Sequence, residues 1–133
     1  MSNTVPEGWE VKTVGDIGSV VTGSTPSTTE PLFWGGATPF ISPADFDGKI
    51  YIDKTSRTLS EEGTKKAREL PKDAILVTCI GSLGGMALTS KPSVTNQQIN
   101  AVVAEENQES RFHFYNILFN MHELIKSAGT TTL

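Results

Sequence analysis

Four side-chain amides fall within six residues at Thr95-Asn96-Gln97-Gln98-Ile99-Asn100, just ahead of the apolar run Ala101-Val102-Val103-Ala104. Amides are costly to bury unless every donor and acceptor finds a partner. The cluster therefore either ties neighbouring backbone together or faces a polar ligand. Asn and Gln can also pair bidentately with the adenine edge in a DNA major groove. A second candidate, Gly81-Ser82-Leu83-Gly84, follows an apolar strand. Ile80 and the spacing exclude a G-x-S-x-G nucleophile elbow. No G-x-x-x-x-G-K-[ST] occurs, so a P-loop is excluded. The turn can still offer backbone N–H groups to a phosphate; a tight turn between strands is the plainer reading. His113 and His122 stand nine residues apart, half a turn out of phase on one helix, and cannot share a metal through it. Asp45 and Asp47 lie on a Gly/Pro-rich turn, where carboxylates cap or tighten backbone. Nothing there supplies the desolvated partner that acid–base work needs. A small enzyme holding a phosphate at 81–85 would lack both a base and an orienting group.

Aromatic and basic residues suggest a different chemistry. Trp9, Phe33, Trp34, Phe40, Phe46 and Tyr51 are interleaved with glycine and proline in the first half. They suit base stacking or the packing of a β-rich core. The chain carries a net charge of −4, which argues against a free-standing nucleic-acid binder. The charge is uneven. Residues 49–72 hold seven of the eleven bases (Lys49, Lys54, Arg57, Lys65, Lys66, Arg68 and Lys72) and carry a net +3, against −5 for residues 1–48 and −2 for 73–133. This segment is either a phosphate-facing stripe or a solvated helix face.

The elements that would position these residues can be read from patterning. Trp9–Lys12, Ile17–Thr22, Phe40–Ile41, Ile50–Ile52, Ala74–Ile80, Met86–Leu88 and Ile99–Val103 are predicted strands. Ala74–Ile80 is apolar nearly throughout and should be buried on both faces. Residues 24–31 form a loop rich in hydroxyls and proline that runs on through Phe33-Trp34-Gly35-Gly36. Pro43 suits the first position of a helical turn. Ser60 should cap a helix over Glu61–Glu69, with Glu61 and Glu62 in its first turn. Phe114, Ile117, Leu118, Met121, Leu124, Ile125 and Ala128 share one stripe of a helix over Arg111–Ser127, capped by Ser110 and ended at Gly129. The sum is an α+β domain with a mixed, twisted sheet and two or more helices. At 133 residues, 37% of them hydrophobic, one domain with a real core is expected. Cys79 is the single cysteine, which excludes an internal disulfide and a cysteine-based zinc site. No secretory signal is evident in Met1–Gly8. No apolar run approaches the roughly 18–20 residues of a membrane span, and a cytoplasmic location is expected.

Eight segments occur in an order that resembles a known family. They are Pro6-Glu7-Gly8-Trp9, Thr22-Gly23-Ser24-Thr25-Pro26-Ser27, Trp34-Gly35-Gly36, Pro39-Phe40-Ile41-Ser42-Pro43-Ala44-Asp45, Ser60-Glu61-Glu62-Gly63, Leu76 to Gly84, Thr95 to Asn100, and Ala128-Gly129-Thr130-Thr131. Nearly the whole chain is similar to a target recognition domain of the DNA specificity subunit of type I restriction–modification enzymes. The resemblance implies a non-catalytic reader of prokaryotic origin. The subunit has two such domains separated by long helices, and each reads one half of a bipartite target in double-stranded DNA. Methyltransferase and restriction subunits are the implied partners, with S-adenosylmethionine and ATP on those partners only. Such a domain continues past the Gly-Thr-Thr segment, so residues 1–133 are expected to be an N-terminal target recognition domain truncated before its end and before the spacer helix.

On this reading Lys49, Lys54, Arg57, Lys65, Lys66 and Arg68 contact phosphates and position the duplex. Ser24, Thr25, Ser27, Thr28 and Thr29, or residues near Lys54–Arg57, reach base edges. A segment shared among proteins with different targets cannot set the target. Asn96 and Gln97 are therefore expected to brace backbone with Gly81, Ser82 and Gly84, or to hold a phosphate. No metal and no catalytic residue is expected. The alternative is a protein-interaction fragment that pairs with a methyltransferase or another specificity chain, or forms a homo-oligomer, without binding DNA.

Overall fold

Ile75–Thr78 is apolar on both its alternating faces, which suits a strand covered on both sides. In the computed structural model, which describes residues 18–78, 85–106 and 109–128, with side chains of the last helix through Phe119, this strand is the centre of the fold. The strands in chain order are β1 (Gly18–Thr22), β2 (Trp34–Ile41), β3 (Tyr51–Ile52), β4 (Arg57–Leu59), β5 (Ile75–Thr78), β6 (Gly85–Thr89), β7 (Val94–Thr95) and β8 (Ile99–Ala104). The helices are α1 (Glu61–Lys65) and α2 (Ser110–Ala128), with 3-10 turns at Pro31–Phe33 and Pro43–Asp45.

Two mixed sheets form. The five-stranded sheet runs β1-β8-β5-β6-β3, and the three-stranded sheet runs β4-β2-β7. β8 pairs antiparallel with both β1 and β5, while β3 joins β6 in parallel. In the smaller sheet β2 is antiparallel to β4 and parallel to β7. The strand period of two divides the core into layers. Leu76, Ala87, Ile99 and Ala101 face inward to Ile41 of β2. Ile75, Leu88 and Val102 face the other way, onto Phe114, Ile117 and Leu118 of α2. Phe40, Leu59 and Val94 close the outer side of the small sheet with Trp34 and Ala67. The result is a helix, a large sheet and a small sheet with its own short helix, an α+β arrangement.

The structure corrects several boundaries. The chain through Trp34–Gly36 is strand, not loop: β2 begins at Trp34, and both Trp34 and Thr38 lie opposite Leu59, so Gly35–Ala37 bulges out between them. Gly35 takes φ +87°, which favours glycine. Helix α1 ends at Lys65 rather than Glu69, because the chain must turn for Leu70 and Ser93 to exchange backbone bonds of 2.7 and 3.0 Å. The cap of α2 is Glu109, not Ser110: the Arg111 N–H donates to Glu109 Oε1 at 3.3 Å and the His113 N–H to the Glu109 carbonyl at 3.1 Å. Strands β4 and β7 have no counterpart among the predicted strands. Ser60 caps α1 as expected, accepting the Gly63 N–H at 3.1 Å. The expected strand Trp9–Lys12, together with Cys79, Gly81, Ser82, Gly84 and Gly129, lies outside the described residues, and no side chain beyond Phe119 is described.

Candidate functional site

The ends of β1 and β5 and the starts of β6 and β8 meet at one edge of the large sheet, since Thr22 pairs with Asn100 and Thr78 with both Gly85 and Ile99. The amide cluster sits at this edge, in the turn from β7 into β8. Its amides are spent on neighbours. Asn96 Oδ1 accepts the Gln98 N–H at 3.0 Å, and Asn96 Nδ2 donates to Gln98 Oε1 at 3.3 Å, the local bond of an Asx turn. Gln97 Oε1 accepts from the Thr25 hydroxyl at 2.6 Å, and Asn100 Oδ1 accepts from Thr22 at 2.7 Å. The Ser24 N–H donates to the Thr95 carbonyl at 3.0 Å, and the Asn96 N–H to the Ile41 carbonyl at 3.0 Å. Asn96 and Gln97 thus tie the hydroxyl loop and the end of β2 to the start of β8. The turn at 81–84, their expected partner, lies outside the described residues.

Trp34 organises the flank beside this loop. Its indole Nε1–H donates to the Ser27 carbonyl at 3.0 Å, which pins the loop of Ser24, Thr25, Ser27, Thr28 and Thr29. Ser27 Oγ and Thr29 Oγ1 lie 3.0 Å apart, and Thr25, Ser27, Thr28 and Thr29 are exposed. The edge of Trp34 meets Phe40 with centroids 5.0 Å apart, and its face carries the Arg57 guanidinium 3.6 Å from the centroid. Trp34, Gly35, Ser56, Arg57 and Thr58 line a shallow groove of about 250 Å³. Two anchors hold the chain around Arg57. The Ser56 N–H donates to Asp45 Oδ1 at 3.0 Å, and the Thr55 hydroxyl to the Arg57 carbonyl at 2.6 Å. Asp45 is therefore a turn-tightening carboxylate, and its other oxygen accepts from Ser42 N at 2.8 Å.

The basic residues divide into two groups. Arg57 stands on β4, Lys65 on α1, and Lys66 and Arg68 just after it. Arg68 Nη1 donates to the Thr22 carbonyl at 2.7 Å, and Lys66 Nζ lies 6.0 Å from the Phe33 ring centroid. Lys65 pairs with Glu62 at 3.6 Å, an exposed pair of small energetic worth. Lys49 and Lys54 flank β3, the edge strand of the other sheet, and both are exposed. Near them a second groove is lined by Tyr51, Asp53, Lys72 and Ser90. Burial, and then the bond from its hydroxyl to Asp73 Oδ1 at 2.9 Å, hold the Tyr51 phenol above its ordinary pKa of 10.0. Among the described residues no group of three or more His, Cys, Asp or Glu could hold a metal ion. His113 is half-buried on α2.

Sequence patterning picks out the hydroxyl loop and the basic segment but not the residue that joins them. In sequence Trp34 reads as a core or stacking aromatic, and its place in the Trp34-Gly35-Gly36 segment is the one available signal. Thr22, Gln98 and Asn100 give no sign of their partners.

Residues 6–133 match the family described as the type I restriction modification DNA specificity domain. The chain is 36% identical over 135 residues to the specificity subunit of the type I restriction enzyme HindI of Haemophilus influenzae, covering 97% of this chain and 29% of that protein. It is 36% identical to the MjaIX specificity subunit of Methanocaldococcus jannaschii, covering 96% of this chain and 31% of that protein. The EcoR124I/EcoR124II specificity subunit of Escherichia coli is 29% identical over 92% of this chain and 32% of its own length. The chain therefore spans about a third or less of the curated relatives it matches. Among solved structures, the HsdS subunit of Thermoanaerobacter tengcongensis superposes with a TM-score of 0.70 at 15% identity, over 98% of this chain and 31% of that one. A chain from a structure of the type I R-M system, solved for its complex assembly and conformational transition, superposes with a TM-score of 0.74 at 18% identity, over 92% of this chain and 30% of that one.

Proposed function

This chain belongs to the family of type I restriction–modification DNA specificity domains, and we propose that it is a sequence-reading module that recognises one half of a bipartite double-stranded DNA target. The observation that carries this reading is the flank built around Trp34. One indole fastens the exposed hydroxyl loop by its N–H and seats Arg57 on its face, and Arg68, just after α1, donates to the Thr22 carbonyl at the start of that loop. Cations of this kind meet phosphates and fix register, while short polar side chains reach base edges. Residues 6–133 act as one recognition domain of a longer subunit, as the 29% and 31% shares of the relatives' length support. The module has no catalytic part. Methylation and restriction fall to partner subunits, which hold S-adenosylmethionine and ATP and extend the positive surface that a chain of net charge −4 lacks. No described helix is long and apolar enough to cross a membrane, which suits work in the cytoplasm on DNA.

A salt series on duplex binding tests the phosphate assignment. Lys65→Ala with Lys66→Ala should flatten the slope of log K against log salt by about 0.9 for each phosphate no longer neutralised. An unchanged slope removes these two residues from the interface.

A second reading draws on α2. Phe112, Tyr115 and Phe119 recur at helical spacing on the side opposite Phe114, Ile117 and Leu118, and they are 47%, 47% and 63% exposed. Such a stripe suits contact with another protein, a methyltransferase subunit or a second specificity chain. Size-exclusion with and without DNA separates the readings: a larger species in the absence of DNA favours protein contact, and one formed only with duplex favours DNA binding.

A further inference from the structure

Arg57 differs from the other cations of this flank in what its charged group touches. Lys65 is paired with Glu62, Arg68 gives an N–H to the Thr22 carbonyl, and the Lys66 ammonium, a compact point charge, stands off at 6.0 Å from the Phe33 ring centroid. The Arg57 guanidinium instead sits at stacking distance, 3.6 Å, over Trp34, and no acceptor takes its N–H groups among the described residues. Trp34 is itself fixed, by its bond to the Ser27 carbonyl and its edge contact with Phe40. The backbone on either side of Arg57 is held through Asp45 and Thr55. The hydroxyl-bearing Ser56 and Thr58 line the same open groove.

A point charge suffices to neutralise a phosphate, and a mobile lysine does so. A guanidinium stacked on an indole presents a planar fork of donors whose orientation is already set, so it gives up little rotamer entropy on meeting two acceptors in one plane. The O6 and N7 atoms of guanine in the major groove are such a pair. Resting on the DNA-recognition reading above, we infer that Arg57 is a specificity-determining residue, and that its guanidinium, seated on Trp34, reads a guanine in the recognised half-site. This moves Arg57 from the phosphate-contacting set to the base-reading set.

The test is selection from a pool of randomised duplexes with the full chain, Arg57→Lys and Arg57→Gln, each checked for unchanged melting. The unaltered chain should enrich a short block with one invariant G. Both variants should keep the rest of the block and relax that position by about 10- to 100-fold in discrimination. Weaker binding that is uniform across sequences, with the G retained, overturns the inference and returns Arg57 to the phosphates. If the unaltered chain enriches no block, the DNA-recognition reading fails and takes the inference with it. A probe on the DNA side avoids any folding effect. Substituting 7-deazaguanine at the invariant position should weaken binding of the unaltered chain about 10-fold. Undiminished binding to that duplex contradicts the guanine assignment.

Discussion

Asn96 illustrates how an amide-rich segment can be structural while sitting beside the proposed recognition surface. Its side chain closes a local turn by accepting the Gln98 N–H, while its own N–H reaches the Ile41 carbonyl of the other sheet. Asn96→Ala removes the turn bond and leaves the Gln98 donor to water. It should lower stability by about 1 kcal/mol in urea unfolding without altering which sequences are bound. A switched sequence preference would make the cluster a base reader. The composition of this segment is legible in the sequence. Its partners are not, because the Thr25–Gln97 and Thr22–Asn100 bonds join residues 72 and 78 apart in the chain. Trp34 hides for a related reason: a ring that half-buries itself while using its N–H and its face looks like core in sequence.

Lys65 ends α1 and Lys66 and Arg68 follow it, so the seat of α1 on the Pro31–Phe33 turn sets where these three cations stand. Gly63 is buried at this seat, and a Cβ there would run into the Phe33 carbonyl. Gly63→Ala should therefore destabilise the chain by about 2 kcal/mol, although alanine is the better helix former in isolation. A rise in the urea midpoint would mean α1 does not pack this closely. Longer apolar strands, such as β8, and the Ser60 cap are readable from sequence, as is the sheet-facing stripe of α2 through Phe114, Ile117 and Leu118. Strands β4 and β7 are not. Arg57–Leu59 and Val94–Thr95 are too short to show a period, and only pairing with β2 makes them strands. The bulge of β2 hides behind glycines, which read as loop in any local pattern.

Across the chain, the fold is two mixed sheets and a flanking helix, and the family is legible from the order of its segments rather than from any one motif. The cations of the proposed interface are local but not free of acids: residues 57–69 hold four bases and three acids, a net +1 within a chain of net −4. The split of six candidate cations between two sheets has no sequence signature, because Lys49 and Lys54 are neighbours of Arg57 in sequence but border a different sheet. The central claim is that this one domain discriminates between DNA sequences. The most direct measurement is the affinity of the 133-residue chain for a duplex carrying its selected block, against a scrambled duplex of the same length and composition, at one fixed salt concentration. Recognition predicts a preference of about 10³-fold or more for the selected duplex. Equal affinity for the two would contradict it.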